Sequence, residues 1–216
     1  MITLYFTPNS PYARKVRMVL AEKGLAFTPE SLPVAPPGSG RFFPESFEAL
    51  NPNMRVPMLA DNDLRIWDSN LILEYLFKTY PDSAKSLGQT VPPLAPSLTR
   101  PERHWQDLMI LNTIETLLDS AVNLYQFLRE GMQPEQVPYL RRETERSRSE
   151  LDWLEKQMPA EGFWPGTFSA LDLNLVCTLA WLDLRNPVPW RGRPKLEAFM
   201  ERFSARPSVL ATRPSG

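Results

Sequence analysis

The stretch from Asn51 to Phe77 constrains this chain more than any other, because it spells out a turn, a hairpin and a helix in close succession. Asn51-Pro52-Asn53-Met54-Arg55-Val56-Pro57-Met58-Leu59 is a turn that enters a strand at a proline. Proline has no N–H to give a ladder, so it suits the first residue of a strand. The Val56-Pro57 bond is a candidate for the cis isomer, which before proline costs only about 0.5–1 kcal/mol. That isomer would turn the Val56 N–H and C=O out of the sheet toward a bound peptide. Leu64-Arg65-Ile66-Trp67 reads as the second strand and Asn70 to Phe77 as a helix, with Ser69 as its N-cap.

A helix start gathers free N–H groups and a partial positive charge, so the Ser69 hydroxyl and the amides after it are expected to seat a carboxylate. Asp68 beside it suits an ammonium group. An acid and an amine on one small ligand describe an amino acid, and the γ-glutamyl end of glutathione is one. Here the residues resemble the glutathione transferase superfamily. Its amino-terminal domain carries, in this order, an asparagine-proline turn, a valine with a cis-proline, and an acidic residue followed by serine. Taken singly, each mark is an ordinary turn, strand entry or cap. Their order and spacing round one hairpin make the specific signal.

With 216 residues the chain can bury a full core as one domain or two small ones. Its 24 lysines and arginines against 25 acids leave no electrostatic footprint for nucleic acid or an anionic membrane. A single cysteine, Cys177, excludes an internal disulfide and a multi-cysteine metal site. The lone His104 removes the usual zinc and triad arrangements, so no metal is expected. The segment from Met1 to Pro8 lacks a basic region followed by an apolar core, and no apolar run reaches membrane-spanning length. The expected location is cytoplasmic.

Ile2 to Phe6 reads as a strand and Pro11 to Gly24 as a helix, with Val16, Val19 and Leu20 at helical spacing before a glycine stop. A second strand is expected near Ala26 to Leu32 and a short helix over Glu45 to Leu50, after a breaker-rich run from Pro33 to Gly40. The order β-α-β-α-β-β-α is that of a thioredoxin-like fold. Pro92 to Pro101 is a proline-stiffened connection. Beyond it, helical periodicity over Trp105 to Leu128 and Leu140 to Met158 implies an all-helical second domain. The expected division is residues 1–81, a linker over 82–101, and 102–216.

In the charged run Arg141 to Glu150, Arg141 with Glu145 and Arg146 with Glu150 stand four apart, which describes a solvated helix face better than an RNA-binding arm. Phe168-Ser169-Ala170-Leu171-Asp172-Leu173 reads as a capping box with a hydrophobic staple, opening a helix apolar on more than one face. The family caps the core helix of its second domain with a similar serine or threonine and aspartate. The closing segment Arg193 to Val209, with its arginine-proline-serine tail, extends the resemblance to both domains.

If the clamp holds glutathione, the sulfur reaches Thr7-Pro8-Asn9-Ser10-Pro11-Tyr12. Ser10, an N-cap with Pro11 at the first helical position, sits where the dipole favours an anion. A hydroxyl donating to the thiolate lowers the thiol's pKa and raises the ionised fraction near neutral pH. Several classes of the family carry serine, threonine or cysteine there, before a proline-aromatic pair. Ser10 is therefore the candidate catalytic residue, with Asn9 and Tyr12 as alternatives. The resemblance further implies that Val56 pairs its backbone with the cysteinyl part across Pro57 and that Asp68 and Ser69 hold the γ-glutamyl part. Arg55 approaches a ligand carboxylate, and Arg41 is a further candidate for the glycyl carboxylate.

The reading is then a glutathione transferase acting on a small hydrophobic electrophile, with glutathione as co-substrate and a homodimer as the family's usual assembly. The electrophile would lie between the domains, near the Pro33 to Gly40 loop and Met109, Asn112 and Thr113. Two rivals share the fold. One is a non-catalytic protein of the stringent-starvation type, which Val19 to Gly24 and Leu50 to Asn53 also resemble. Those members lose the sulfur-activating residue and carry a proline-histidine-proline motif where this chain reads Tyr80-Pro81-Asp82. The other is a glutathione-dependent peroxidase or reductase that works with a hydroxyl in place of a cysteine, since the absence of a cysteine at position 10 runs counter to dithiol chemistry alone.

Overall fold

A computed structural model describes residues 1–33, 43–81 and 91–214. Arg41, the loop from 34 to 40 and Asp82 lie outside the described residues. The first unit runs β1 (Ile2–Phe6), α1 (Pro11–Glu22), β2 (Thr28–Ser31), α2 (Glu45–Glu48), β3 (Met58–Asp61), β4 (Leu64–Trp67) and α3 (Ser69–Thr79). Its sheet has the order β2-β1-β3-β4, with β1 parallel to β2 and antiparallel to β3, and β3 antiparallel to β4. This is the thioredoxin-like arrangement expected from the element order.

Ile2, Leu4 and Phe6 alternate into the core from β1, as the period of a strand requires. β4 begins and ends where the sequence pattern places it, and Asn62, at φ 53°, takes the left-handed turn between β3 and β4. β2 is a shorter strand than expected and exposed along its length, which suits the edge of a sheet. At the far end of the hairpin, Asp61 accepts hydrogen bonds from the hydroxyls of Tyr75 and Tyr80, tying β3 to α3. The Tyr80 hydroxyl holds the Asp61 carboxyl below its usual range.

The second unit holds a 3₁₀ turn (Pro101–Arg103), then α4 (His104–Arg129), α5 (Pro138–Gln157), α6 (Ala170–Arg185), α7 (Pro194–Ser204) and α8 (Pro207–Ala211). α6 is its core: Leu171, Leu173, Leu175, Val176, Cys177 and Leu179 are all sealed from solvent. The Ser169 hydroxyl accepts from the Asp172 amide at 3.2 Å, and Asp172 accepts from the Ser169 amide at 2.9 Å, completing the capping box. Asp172 also accepts from the Phe163 amide at 2.9 Å, so one buried carboxylate fixes both the helix start and the loop that precedes it. On α5 the charge pairing differs from the expected register. Arg146 donates to Glu143 at 2.6 Å, three residues back and almost buried, in place of Glu150.

The proline-rich connection is stitched onto the helical unit. Phe168 donates its amide to Pro93 O at 2.8 Å, Ala95 donates to Phe168 O at 3.0 Å, and Leu94 and Ala95 are buried. The two units meet along α1, whose Arg14, Lys15 and Glu22 are buried although the apolar pattern alone puts only Val16, Val19 and Leu20 inside. Partners distant in sequence explain this. Lys15 donates to Glu115 of α4, and Arg14 donates to Val209 O at 3.0 Å. Glu22 accepts two hydrogen bonds from Arg206, at 2.6 and 2.7 Å, and one from Ser208. A buried charge is tolerated only when it is paired and hydrogen-bonded.

Candidate functional site at one end of the sheet

Strand register gathers the predicted residues. Tyr5 of β1 lies opposite Met58 of β3, and Met58 lies opposite Trp67 of β4. The loop carrying Ser10 leaves the end of β1, Val56-Pro57 leads into β3, and Asp68-Ser69 follows β4. All three therefore emerge at the same end of the sheet, across strands about 4.8 Å apart. The span is about 10 Å, close to an extended tripeptide at about 3.3–3.6 Å per residue.

Ser10 is the N-cap of α1, its hydroxyl oxygen accepting from the Ala13 amide at 3.2 Å. Pro11 has no N–H and the Arg14 amide bonds to Ser10 O at 3.0 Å, so the Ser10 hydroxyl proton and the Tyr12 amide are what this helix start has to offer a ligand. Tyr12, the alternative at this site, is committed elsewhere: its hydroxyl donates to Asp119 of α4. Burial, and then the Asp119 charge, push its phenol well above the ordinary range. It stays a neutral donor. Asn9 is half-buried in the turn that Ser10 closes by donating its amide to Thr7 O at 3.1 Å.

The start of α3 departs from expectation by one residue. Asp68, not Ser69, is the N-cap; its Oδ1 accepts from the Asn70 amide at 2.9 Å and the Leu71 amide at 3.1 Å. Both residue types cap well, but an ionised carboxylate makes the stronger bond to an amide. Asp68 takes φ 77°, which a residue with a side chain rarely adopts and which costs on the order of 1–3 kcal/mol. The consequence for a ligand is specific. The amides after Ser69 are already occupied, leaving the Ser69 N–H and hydroxyl and the second oxygen of the exposed Asp68 carboxylate. Ser69 itself is 4% exposed. Beside it, Asn70 Oδ1 is buried with no partner among the described residues, an acceptor that sequence reasoning missed.

The Val56-Pro57 bond is cis, with Val56 half-buried and Pro57 buried. The turn before it is held by Asn51, fully buried, whose Nδ2 donates to Arg55 O at 2.8 Å and whose Oδ1 accepts from the Asn53 amide at 3.0 Å. Arg55 is exposed, and its charge acts on Tyr12. The approach to β3 and the start of α1 are thus neighbours.

Met109, Asn112 and Thr113 lie back from this end along α4, Met109 furthest. Tyr12 meets Asp119 and Lys15 meets Glu115, so α1 and α4 run antiparallel and the Ser10 end of α1 lies level with the turn from Asp119 to Asn123. Met109 is ten residues, or about 15 Å, further back along α4. With Trp105 it forms exposed apolar surface, at 59% and 73% exposure. The periodicity of α4 marks which residues face inward but carries no signal of which turn meets α1.

Comparison with known proteins decides the family. Models described as "Glutathione S-transferase, N-terminal domain" and "Glutathione S-transferase, C-terminal domain" match residues 4–84 and 138–202. The chain belongs to the glutathione transferase superfamily. Among relatives of this superfamily, the stringent starvation protein A homolog of Haemophilus ducreyi is 35% identical over 81 residues, a match covering 38% of this chain and only 35% of that protein. Glutathione S-transferase 1 of Manduca sexta is 27% identical over 206 residues, covering 94% of this chain and 88% of its own. Among solved structures, a glutathione transferase family member from Pseudomonas fluorescens Pf-5 with bound glutathione superimposes with a TM-score of 0.77 at 29% identity, covering 100% of both chains. No described helix is long and apolar enough to cross a membrane.

Proposed function

We propose that the protein is a glutathione transferase, in which residues 1–81 seat glutathione, 82–101 connect, and 102–216 complete the electrophile site. One observation carries this reading: two helix starts and a cis-proline turn converge at one end of the sheet, on a span that suits a tripeptide. The Pseudomonas relative with glutathione bound supports it. Asp68 takes the ammonium and the Ser69 amide and hydroxyl take the carboxylate of the γ-glutamyl end. The Val56 backbone pairs with the cysteinyl part, and Arg55 faces a ligand carboxylate.

At the sulfur, the Ser10 hydroxyl donates to the thiolate with the Tyr12 amide and the helix dipole behind it. The thiol proton leaves to solvent. The sulfur lone pair then forms the S–C bond as the leaving group departs with its electron pair or, in addition, as the double bond takes up the charge.

A cytoplasmic, homodimeric protein belongs to the same reading. Exposed Leu64, Leu71, Trp105 and Met109 are apolar surface that pairing would cover. The starvation-protein relative supports a second, non-catalytic reading, being 35% identical over the 81 residues it shares with this chain. Retention on immobilised glutathione, followed by conjugation of a generic chloronitrobenzene, separates the two. The transferase reading expects both. Retention without conjugation would favour a binding protein, and failure to bind at millimolar glutathione would remove the enzyme readings altogether.

A further inference from the structure

Asp119 occupies a place that the proposed reaction has not used. It projects from α4 opposite the first turn of α1, where its Oδ1 accepts the Tyr12 hydroxyl, and it is exposed. A phenol is a neutral donor and leaves the carboxylate its full charge. The neighbouring cations are committed. Lys15, fully buried, pairs with Glu115 one turn back on α4. Arg17 donates to Pro8 O at 3.4 Å and lies over the Phe6 ring. Arg55 is assigned above to a carboxylate of the ligand. Among the described residues Asp119 has no ion-pair partner, so it adds one negative charge here, held by a hydrogen bond to a residue two positions from Ser10.

We propose that Asp119 sets the substrate class of this site: electrophiles bearing positive charge on the ring that carries the reacting carbon are taken in preference to carboxylate-bearing ones of the same shape. This rests on the glutathione reading. Like charges at this range disfavour binding and opposite charges favour it, by about fivefold per unit charge in a partly solvated cleft.

Calorimetric titration of three S-benzylglutathione adducts tests the idea, with trimethylammonium, methyl and carboxylate groups at the para position. The native protein is expected to bind them in that order, each step about fivefold. Asp119→Asn keeps an acceptor for Tyr12 and removes the charge, so the three affinities should converge. Tyr12→Phe removes the hydroxyl and keeps the charge, so the order should survive. A purely structural role for the Tyr12–Asp119 bond predicts equal damage from both variants and no change in order. In the native protein the spread should also shrink as salt rises, which tests the charge without any substitution. Equal affinities, or an order unchanged in Asp119→Asn, would overturn the proposal and leave glutathione binding standing. Failure of all three adducts to bind would overturn the glutathione reading and this proposal together.

Discussion

The helix starts of α3 and α6 use the same chemistry to opposite ends. At α6, Ser169 and Asp172 satisfy one another and the Phe163 amide, and both are sealed from solvent. At α3, Asp68 satisfies two amides but is exposed, and the hydroxyl of Ser69 beside it makes no hydrogen bond among the described residues. A cap that closes on itself and is buried can only hold the fold. One that leaves an exposed carboxylate oxygen and a neighbouring hydroxyl unspent can also hold a ligand. Ser10 is of the second kind.

The contrast breaks most readily at Asp172. Asp172→Ala leaves two buried amides and a hydroxyl without their acceptor and is expected to cost about 2–4 kcal/mol, lowering the melting temperature by about 5–10 °C. Thermal unfolding that matches the native protein would show that this cap does not hold the core. Ser69→Ala should do the reverse. Calorimetry is expected to find glutathione affinity about tenfold weaker, since one hydrogen bond to a charged group is worth about 1.5–3 kcal/mol, with the melting temperature within about 2 °C of native. A large drop in melting temperature with unchanged affinity would make α3 a second structural cap.

A pH titration sharpens the same comparison. Burial pushes the Asp172 carboxyl up to about 6, against the pull of its Ser169 and Phe163 donors. In the unfolded chain it titrates near 4. Between these values the folded protein binds more protons, so this group's contribution to stability falls as pH rises from about 4 through 6. Asp61, whose pKa is depressed, contributes in the opposite sense, and its contribution is lost as pH falls through the folded value. Denaturant unfolding of Asp172→Asn should lose the falling slope between about pH 4 and 6 while remaining less stable than native throughout. An unchanged slope would assign it to another group.

How much of this was legible in the sequence depended on distance along the chain. The capping box, β4, the Ser10 cap and the Val56-Pro57 turn each follow from a few adjacent residues, and each stands where the pattern put it. The α3 cap moved by one residue because Asp and Ser compete at adjacent positions, and backbone geometry rather than composition decides between them. The buried Arg14, Lys15 and Glu22 gave no signal, since their partners Val209, Glu115 and Arg206 are far along the chain. For the same reason the turn of α4 facing Ser10 could not be chosen. Helical periodicity separates faces, whereas only the tertiary contact at Asp119 fixes the level.

On the proposed function, the open helix start at Ser10 stabilises a bound thiolate. Ultraviolet absorbance of the thiolate, followed against pH for glutathione bound to the native protein and to Ser10→Ala, tests it most directly. The native protein should ionise the thiol below its free value of about 8.5. Ser10→Ala should raise the bound value by about one unit, a change of about 1.4 kcal/mol, with the dissociation constant nearly unchanged. A bound thiol that titrates at its free value in the native protein, or at the same pH in both proteins, would contradict the account.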